Sequence, residues 1–227
     1  MNLAPYIDHT NLSLDATEAD IIRLCQEAQR YGFAAVCLRP SCVGLAVERL
    51  ADTPVAVGTV VDFPHGIASA AQKVAQAQTA LGDGAQELDM VLNVPAVIAG
   101  DDHTVATDIR LLVEALNDHR RVCPDKPFML KVILETARLS DEEIVHACHL
   151  AVDAGADFVK TSTGTIAGGG ATTHAVRLMR ATVGPDIGVK AAGGIRDRAT
   201  AEALIAAGAN RLGTSASVAI LRQSAPH

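Results

Sequence analysis

Lysine is sparse in this chain, and its positions decide what chemistry is open to it. Of 227 residues, 19 are Lys or Arg, and the lysines are Lys73, Lys126, Lys131, Lys160 and Lys190. Three of them sit inside or at the end of apolar runs: Lys131 in M-L-K-V-I-L, Lys160 in F-V-K-T-S-T-G and Lys190 in G-V-K-A. Burial disfavours the charged form of an amine. A neutral amine attacks carbonyl compounds and forms a Schiff base, which draws electrons from the adjacent carbon–carbon bond. Lys160, at a strand end and followed by a small polar loop, is the candidate nucleophile. Lys190 is the neighbour whose charge weakens proton binding at Lys160. Asp89, in E-L-D-M-V-L, is the candidate proton acceptor and donor, and Lys131 is suited to hold it ionised and oriented. The bland alternatives are a strand-end lysine with its ammonium in water, and an ion-pair cluster that only fills an interior.

A second set of residues suits an anion. Gly164, Gly193, Gly194 and Gly213 end successive strands, and Ser215 follows the last of them. Backbone N–H groups at such turns cradle phosphate. Thr161 and Ser215 add hydroxyls at the same level, so Thr161, Gly164, Gly193, Gly194, Gly213 and Ser215 form the candidate substrate and phosphate site. Arg196 is a further anion contact or a helix cap. Asp8 and Thr10 close the first strand and can shape a pocket, and His65 in F-P-H-G reads as structural. His146 and His149 stand three apart on a helix, a spacing metals use, but no third ligand lies near, so a solvated helix face is favoured and no metal is expected.

These residues need a scaffold that brings strand ends together. Short runs of Val, Ile, Leu and Ala recur at 33–38, 55–61, 87–92, 128–134, 187–192 and 210–213, with shorter pieces at 6–10 and 158–160. Helical stretches lie between them, about 17–30, 40–50, 68–81, 104–117, 140–153, 172–181 and 198–207, and Ser215 starts a last one. Continuous apolar strands alternating with helices indicate a parallel sheet covered on both faces. Eight units in about 220 residues predict a single-domain α/β chain, a closed (β/α)8 TIM barrel over 1–227. An open doubly wound sheet is the competitor, but no G-x-G-x-x-G opens the first unit. Strand side chains alternate between faces. If the wholly apolar parity faces the helices, Asp89, Lys131, Lys160 and Lys190 all point into the barrel near the C-terminal ends, where such barrels carry their chemistry.

Composition narrows the partners. The net charge of −7 and the lack of a basic stripe argue against nucleic acid. Cys25, Cys37, Cys42, Cys123 and Cys148 are odd in number and contain no C-x-x-C, so neither a disulfide framework nor a zinc ribbon is expected. Cys37 sits at a strand end as a small core residue. With no apolar run long enough for a membrane span and no signal-like N-terminus, a cytoplasmic protein without membrane partners is expected.

The motifs I-D-H-T, T-V-V-D-F-P-H-G, E-L-D-M-V, L-K-V-I-L-E-T, A-G-A-D-F-V-K-T-S-T-G, V-K-A-A-G-G-I-R and R-L-G-T-S together resemble the deoxyribose-phosphate aldolase family of class I aldolases. The resemblance implies a TIM barrel that reversibly cleaves 2-deoxy-D-ribose 5-phosphate to D-glyceraldehyde 3-phosphate and acetaldehyde. It implies Lys160 as the Schiff-base lysine, Asp89 as proton donor and acceptor, Lys190 as the second catalytic lysine, and no metal or organic cofactor. It also implies cytoplasmic catabolism of deoxynucleosides and a homo-oligomer, dimer or tetramer. The chain departs from the family pattern in four places. Thr165 stands where some members have a phosphate-holding lysine, and Asp62 stands where Gly is frequent. Arg39 replaces a common Asn, and the end Q-S-A-P-H lacks the tyrosine-tipped tail of some members. Another Schiff-base aldolase or transaldolase on a sugar phosphate, or a non-catalytic phosphosugar-binding barrel, are the competing functions.

Overall fold

The computed structural model describes residues 1–124 and 128–223. Lys126 and the last residues of the Q-S-A-P-H end lie outside the described residues. Eight strands close into a parallel barrel in chain order, β1 pairing with β8. They are β1 (Ile7–Asn11), β2 (Ala35–Leu38), β3 (Ala56–Val61), β4 (Glu87–Val91), β5 (Met129–Ile133), β6 (Phe158–Lys160), β7 (Gly188–Ala192) and β8 (Arg211–Thr214). The expected TIM barrel is the observed fold.

The described helices are α1 (Glu18–Tyr31), α2 (Val43–Leu50), α3 (Ala70–Gly82), α4 (Val94–Ala99), α5 (Asp102–Val122), α6 (Asp141–Asp153), α7 (Thr173–Val183), α8 (Arg198–Ala206) and α9 (Ser217–Arg222). Local chemistry sets their starts. Thr17, Ser69 and Ser140 each close a capping box with the residue three positions on, satisfying N–H groups that the first turn leaves free. α3 therefore begins after Ser69, two residues later than the sequence suggests. No helix is expected between the strand at 87–92 and the helix at 104–117, yet α4 forms there. Asn93 accepts from the Ala96 N–H at 3.1 Å and Pro95 fits the first turn, so the chain makes a short helix there. α5 is correspondingly longer than 104–117. Pro40 opens a 3-10 turn, Pro40–Cys42, before α2. α9 begins at Ser217, because the Thr214 hydroxyl accepts from Ala216 N–H and holds Ser215 in the turn.

The apolar parity of each strand packs on the helices. Leu88, Met90, Leu130, Val132, Val159, Val189, Ala191 and Leu212 are wholly or almost wholly buried in that layer with Ile109, Leu112, Ala147, Val176 and Leu204. The opposite parity lines the barrel and carries charge. Among the described residues no helix is long and apolar enough to cross a membrane.

Candidate active site

Strand register places the interior charges. Asp89 of β4 lies beside Lys131 of β5. Lys160 of β6 lies beside Lys190 of β7, and Lys190 beside Arg211 of β8. Lys160 pairs with Ile133, two residues beyond Lys131, so it stands one interior step nearer the C-terminal mouth. The four residues assigned inward from parity do meet in the interior, and each is at most 3% exposed.

Asp89 is the hub. Its Oδ2 accepts from Lys160 Nζ and from Lys190 Nζ, both at 2.7 Å. Its Oδ1 accepts from Lys131 Nζ at 3.0 Å. Glu87 and Arg211, not assigned from the sequence, and Asp8, expected there only to shape a pocket, complete the network. Glu87 accepts from Lys131 at 2.6 Å and from Arg211 at 2.8 Å. Asp8 accepts from Arg211 and lies 2.5 Å from Lys190 Nζ. Parity gave a signal for each: Glu87 shares the parity of Asp89, Asp8 that of Thr10, and Arg211 that of Gly213.

Among the described residues, the interior thus holds three carboxylates, Asp8, Glu87 and Asp89, against four cationic side chains, Lys131, Lys160, Lys190 and Arg211. Charge in a low-dielectric interior must balance. One cation is in excess, and Lys160 is the least compensated. Among the described residues its only carboxylate partner is Asp89, already shared with Lys131 and Lys190. Burial pushes its amine below the usual lysine value; Asp89 opposes this and the charge of Lys190 adds to it. Burial opposes the charge of Lys190 too, but Asp8 and Asp89 overcome it and hold that ammonium well above the usual value. Lys131 is raised against burial by Asp89 and Glu87. Burial disfavours ionised Asp89, yet Lys131, Lys160 and Lys190 hold its carboxyl well below the usual range. The result is one amine biased toward neutrality between fixed ammonium ions and a fixed carboxylate.

Cys37 is buried with Sγ 4.0 Å from Asp89 Oδ2. Burial and then the Asp89 charge push its thiol up, so it sits there as a thiol. Gly213 is where β8 makes room: a Cβ there would lie 3.2 Å from Lys190 Cε.

Lys160 opens into a cleft of about 720 Å³ at the C-terminal mouth. Gly164, Gly193, Gly194, Gly213, Ser215 and Arg196 line it, as do Thr10 and Phe63. Gly194 (φ +76°) has open space where a side chain would be, whereas a Cβ on Gly193 (φ +87°) would lie 3.0 Å from the Gly170 backbone. Thr161 is placed elsewhere: it is fully buried, its hydroxyl donates to Ala192 O at 3.2 Å and accepts from Ala192 N–H at 3.0 Å. It ties β6 to β7 and does not line the cleft, because it has the opposite parity to Lys160. Arg39 reaches toward Leu12 O at 3.5 Å.

Other candidates fall away from the cleft. His146 is exposed and bonded to Asp102 at 2.7 Å, and His149 is exposed. Among the described residues no group of three or more His, Cys, Asp or Glu side chains is arranged to hold a metal ion. Lys73, which the sequence left unassigned, is wholly buried on α3 and bonded to Asp108 at 2.5 Å and Gly66 O at 3.0 Å. It anchors the loop that presents Phe63 to the cleft.

Comparison with known proteins identifies the family. Residues 3–224 match the family described as DeoC/LacD family aldolase. A deoxyribose-phosphate aldolase of Geobacillus sp. (strain WCH70) is 50% identical over 220 residues, covering 97% of this chain and 95% of the relative. One of Thermococcus gammatolerans is 52% identical over 223 residues, covering 97% and 96%. The tetrameric deoxyribose phosphate aldolase structure from Aeropyrum pernix superposes with a TM-score of 0.87 at 34% identity, covering 96% of this chain and 89% of that one. An interior lysine biased toward neutrality at the mouth of a (β/α)8 barrel, and near full-length similarity to aldolases, lead to one conclusion: the chain is an aldolase and belongs to the DeoC/LacD family.

Proposed function

We propose that this barrel reversibly cleaves 2-deoxy-D-ribose 5-phosphate to D-glyceraldehyde 3-phosphate and acetaldehyde through a Schiff base on Lys160. The observation that carries the reading is that Lys160, the least compensated cation of the interior network among the described residues, is the amine open to the cleft. The names of the relatives support the substrate.

In the cleavage direction, the Lys160 amine adds to the C1 aldehyde of the open-chain sugar, and loss of water leaves an iminium ion. A base removes the C3 hydroxyl proton. The C2–C3 bond breaks, its electron pair moves into the iminium to give an enamine, and glyceraldehyde 3-phosphate departs. The enamine takes a proton at C2, and water releases acetaldehyde and the amine. Asp89, held ionised, is the group suited to accept and return these protons, directly or through a water. Lys190 and Lys131 keep it ionised, and Lys190 also weakens proton binding at Lys160. Gly164, Gly193, Gly194, Gly213 and Ser215 are the phosphate rim, with Arg196 as the cation that serves where Thr165 replaces a lysine. Residues 1–227 work as one barrel domain in the cytoplasm, and a homo-oligomer is proposed from the tetrameric Aeropyrum relative.

The test is incubation with acetaldehyde and borohydride followed by peptide mapping. An ethyl group on Lys160 alone is expected. No adduct, or one spread over other lysines, would overturn the Schiff-base reading and favour a phosphosugar-binding barrel. A trapped adduct with no cleavage of deoxyribose phosphate would favour an aldolase with another acceptor.

A further inference from the structure

Glu135, just beyond β5, carries three local costs at once. Its backbone is left-handed (φ +58°, ψ +58°), a region L-residues other than Gly and Asn avoid. The residue is 4% exposed. One carboxylate oxygen, Oε1, is buried without a hydrogen-bond partner among the described residues, which stability alone does not favour. The other oxygen, Oε2, makes all the side chain's bonds, and both go to one residue. It accepts from Thr163 N–H at 3.1 Å and from the Thr163 hydroxyl.

Thr163 belongs to the loop that leaves Lys160. Its single hydroxyl proton goes to Glu135, so its oxygen is left as an acceptor. That oxygen takes the Thr165 N–H at 3.2 Å, and the Thr165 hydroxyl, 2.8 Å away, donates to it as well. The polarity of the chain is thereby fixed: Thr165 donates to Thr163, and Thr163 donates to Glu135. Thr163, Gly164 and Thr165 all line the cleft beside Lys160. The backbone adds to the clamp, since Leu134 N–H donates to Lys160 O and Thr136 N–H to Thr161 O, both at 2.9 Å. The left-handed turn at Glu135 lies between these two bonds.

We propose that Glu135 is a positioning residue that holds the Thr163–Thr165 wall of the cleft in place for the phosphorylated aldehyde half of the substrate, and does not act on the amine of Lys160. This rests on the aldolase reaction proposed above. Glu135 does not line the cleft, so it acts through Thr163 and Thr165.

The test separates the two halves of the substrate. Glu135→Gly removes the carboxylate while suiting the left-handed backbone, so the fold is retained. We expect its KM for glyceraldehyde 3-phosphate in the synthetic direction to rise about tenfold or more, the scale of losing hydrogen bonds to a charged group. Borohydride trapping of acetaldehyde on its Lys160 should stay within about threefold of the native rate, because the wall is not needed for that step. Glu135→Gln, whose amide oxygen can accept both Thr163 bonds, should restore KM to near native. If Glu135→Gly does not fold, Glu135→Asn, which also tolerates left-handed backbone but falls one methylene short of Thr163, should show the same split. An unchanged KM, an equal loss of trapping and KM, or a Gln variant as impaired as the Gly variant would each overturn the proposal. Failure of the native enzyme to trap acetaldehyde on Lys160 would instead overturn the Schiff-base reading.

Discussion

Replacing Lys190 by Met removes the charge beside Lys160 and keeps the interior filled. Both amines lie 2.7 Å from the same oxygen, Asp89 Oδ2, so they are at most about 5.4 Å apart, a separation at which two unit charges repel by about 3 kcal/mol at an effective dielectric of about 20. At about 1.4 kcal/mol per factor of ten, the free amine of Lys160 becomes about 100-fold scarcer at neutral pH once that repulsion is gone. Asp89, relieved of one cation, pulls in the same direction. The assay is the rate of acetaldehyde trapping on Lys160 as a function of pH. At neutral pH the variant should be about 100-fold slower, with the break in its profile moved to higher pH. Above the break it should approach the native rate, because the nucleophile itself is untouched. The barrel should survive, since Asp8 keeps Arg211 and has Lys131 at 3.8 Å. A profile with the native break and only a lower plateau would refute the charge effect and move Lys190 to a later proton transfer.

Two stability predictions follow from the other buried charges. Lys73→Met strands the Asp108 carboxylate and Gly66 O, and breaking a buried pair from one side costs about 3–5 kcal/mol. Its urea midpoint should fall accordingly and largely recover in Lys73→Met/Asp108→Leu; a near-native single variant would show the pair to be dispensable. The pH dependence has opposite signs for different groups. The folded carboxyls of Asp8 and Asp89 lie below their unfolded values, so the stability they give is present above about pH 4 and is lost as pH falls through the folded values. Lys131 and Lys190 are raised, so their contribution is complete at neutral pH and fades only above the ordinary lysine value of about 10.4. Lys160 is lowered: its charged form is disfavoured in the folded chain, which costs stability at low pH, and the cost shrinks as pH rises from the folded value toward the unfolded value of about 10.4. Urea midpoints should therefore drop steeply below about pH 4; a flat profile from pH 3 to 7 would contradict the ionisation states of the network.

The barrel was legible because each unit follows one simple rule. Strands buried on both faces are continuous apolar runs, and capping boxes such as Ser140 to Glu143 mark helix starts. Within those strands, a charge at the wrong parity for the helix layer has only the interior to go to, which is why Asp89, Lys131, Lys160 and Lys190 could be placed together. α4 was missed because Asn93 and Pro95 signal a turn as readily as a helix start. Lys73 sits in an Ala/Gln-rich helix whose face to the core has weak apolar contrast, and its partner Asp108 comes from another helix. Thr161 was misplaced toward the cleft because its neighbourhood, and not its parity, guided the expectation. Glu135 escaped because its sign is a left-handed backbone, which a sequence shows only when the residue is Gly or Asn.

Asp8, Glu87 and Arg211 show what parity alone leaves out. Each has the interior parity, but the first-strand position gives Asp8 only a pocket-shaping role, and a Glu or an Arg that begins a strand also reads as a surface residue. Their inclusion changes the chemistry inferred for Lys160. With Asp89 and three lysines alone, two amines would be in excess and either Lys160 or Lys190 could lose a proton. Asp8 settles that choice, because it compensates Lys190 at 2.5 Å and has no contact with Lys160 of that kind. Glu87 and Arg211 largely compensate each other while Glu87 also serves Lys131. The excess is then confined to one amine, at the strand end nearest the cleft. The distant strands β1 and β8 therefore contribute to selecting the nucleophile on β6, and they do so by closing the barrel around a fixed count of charges.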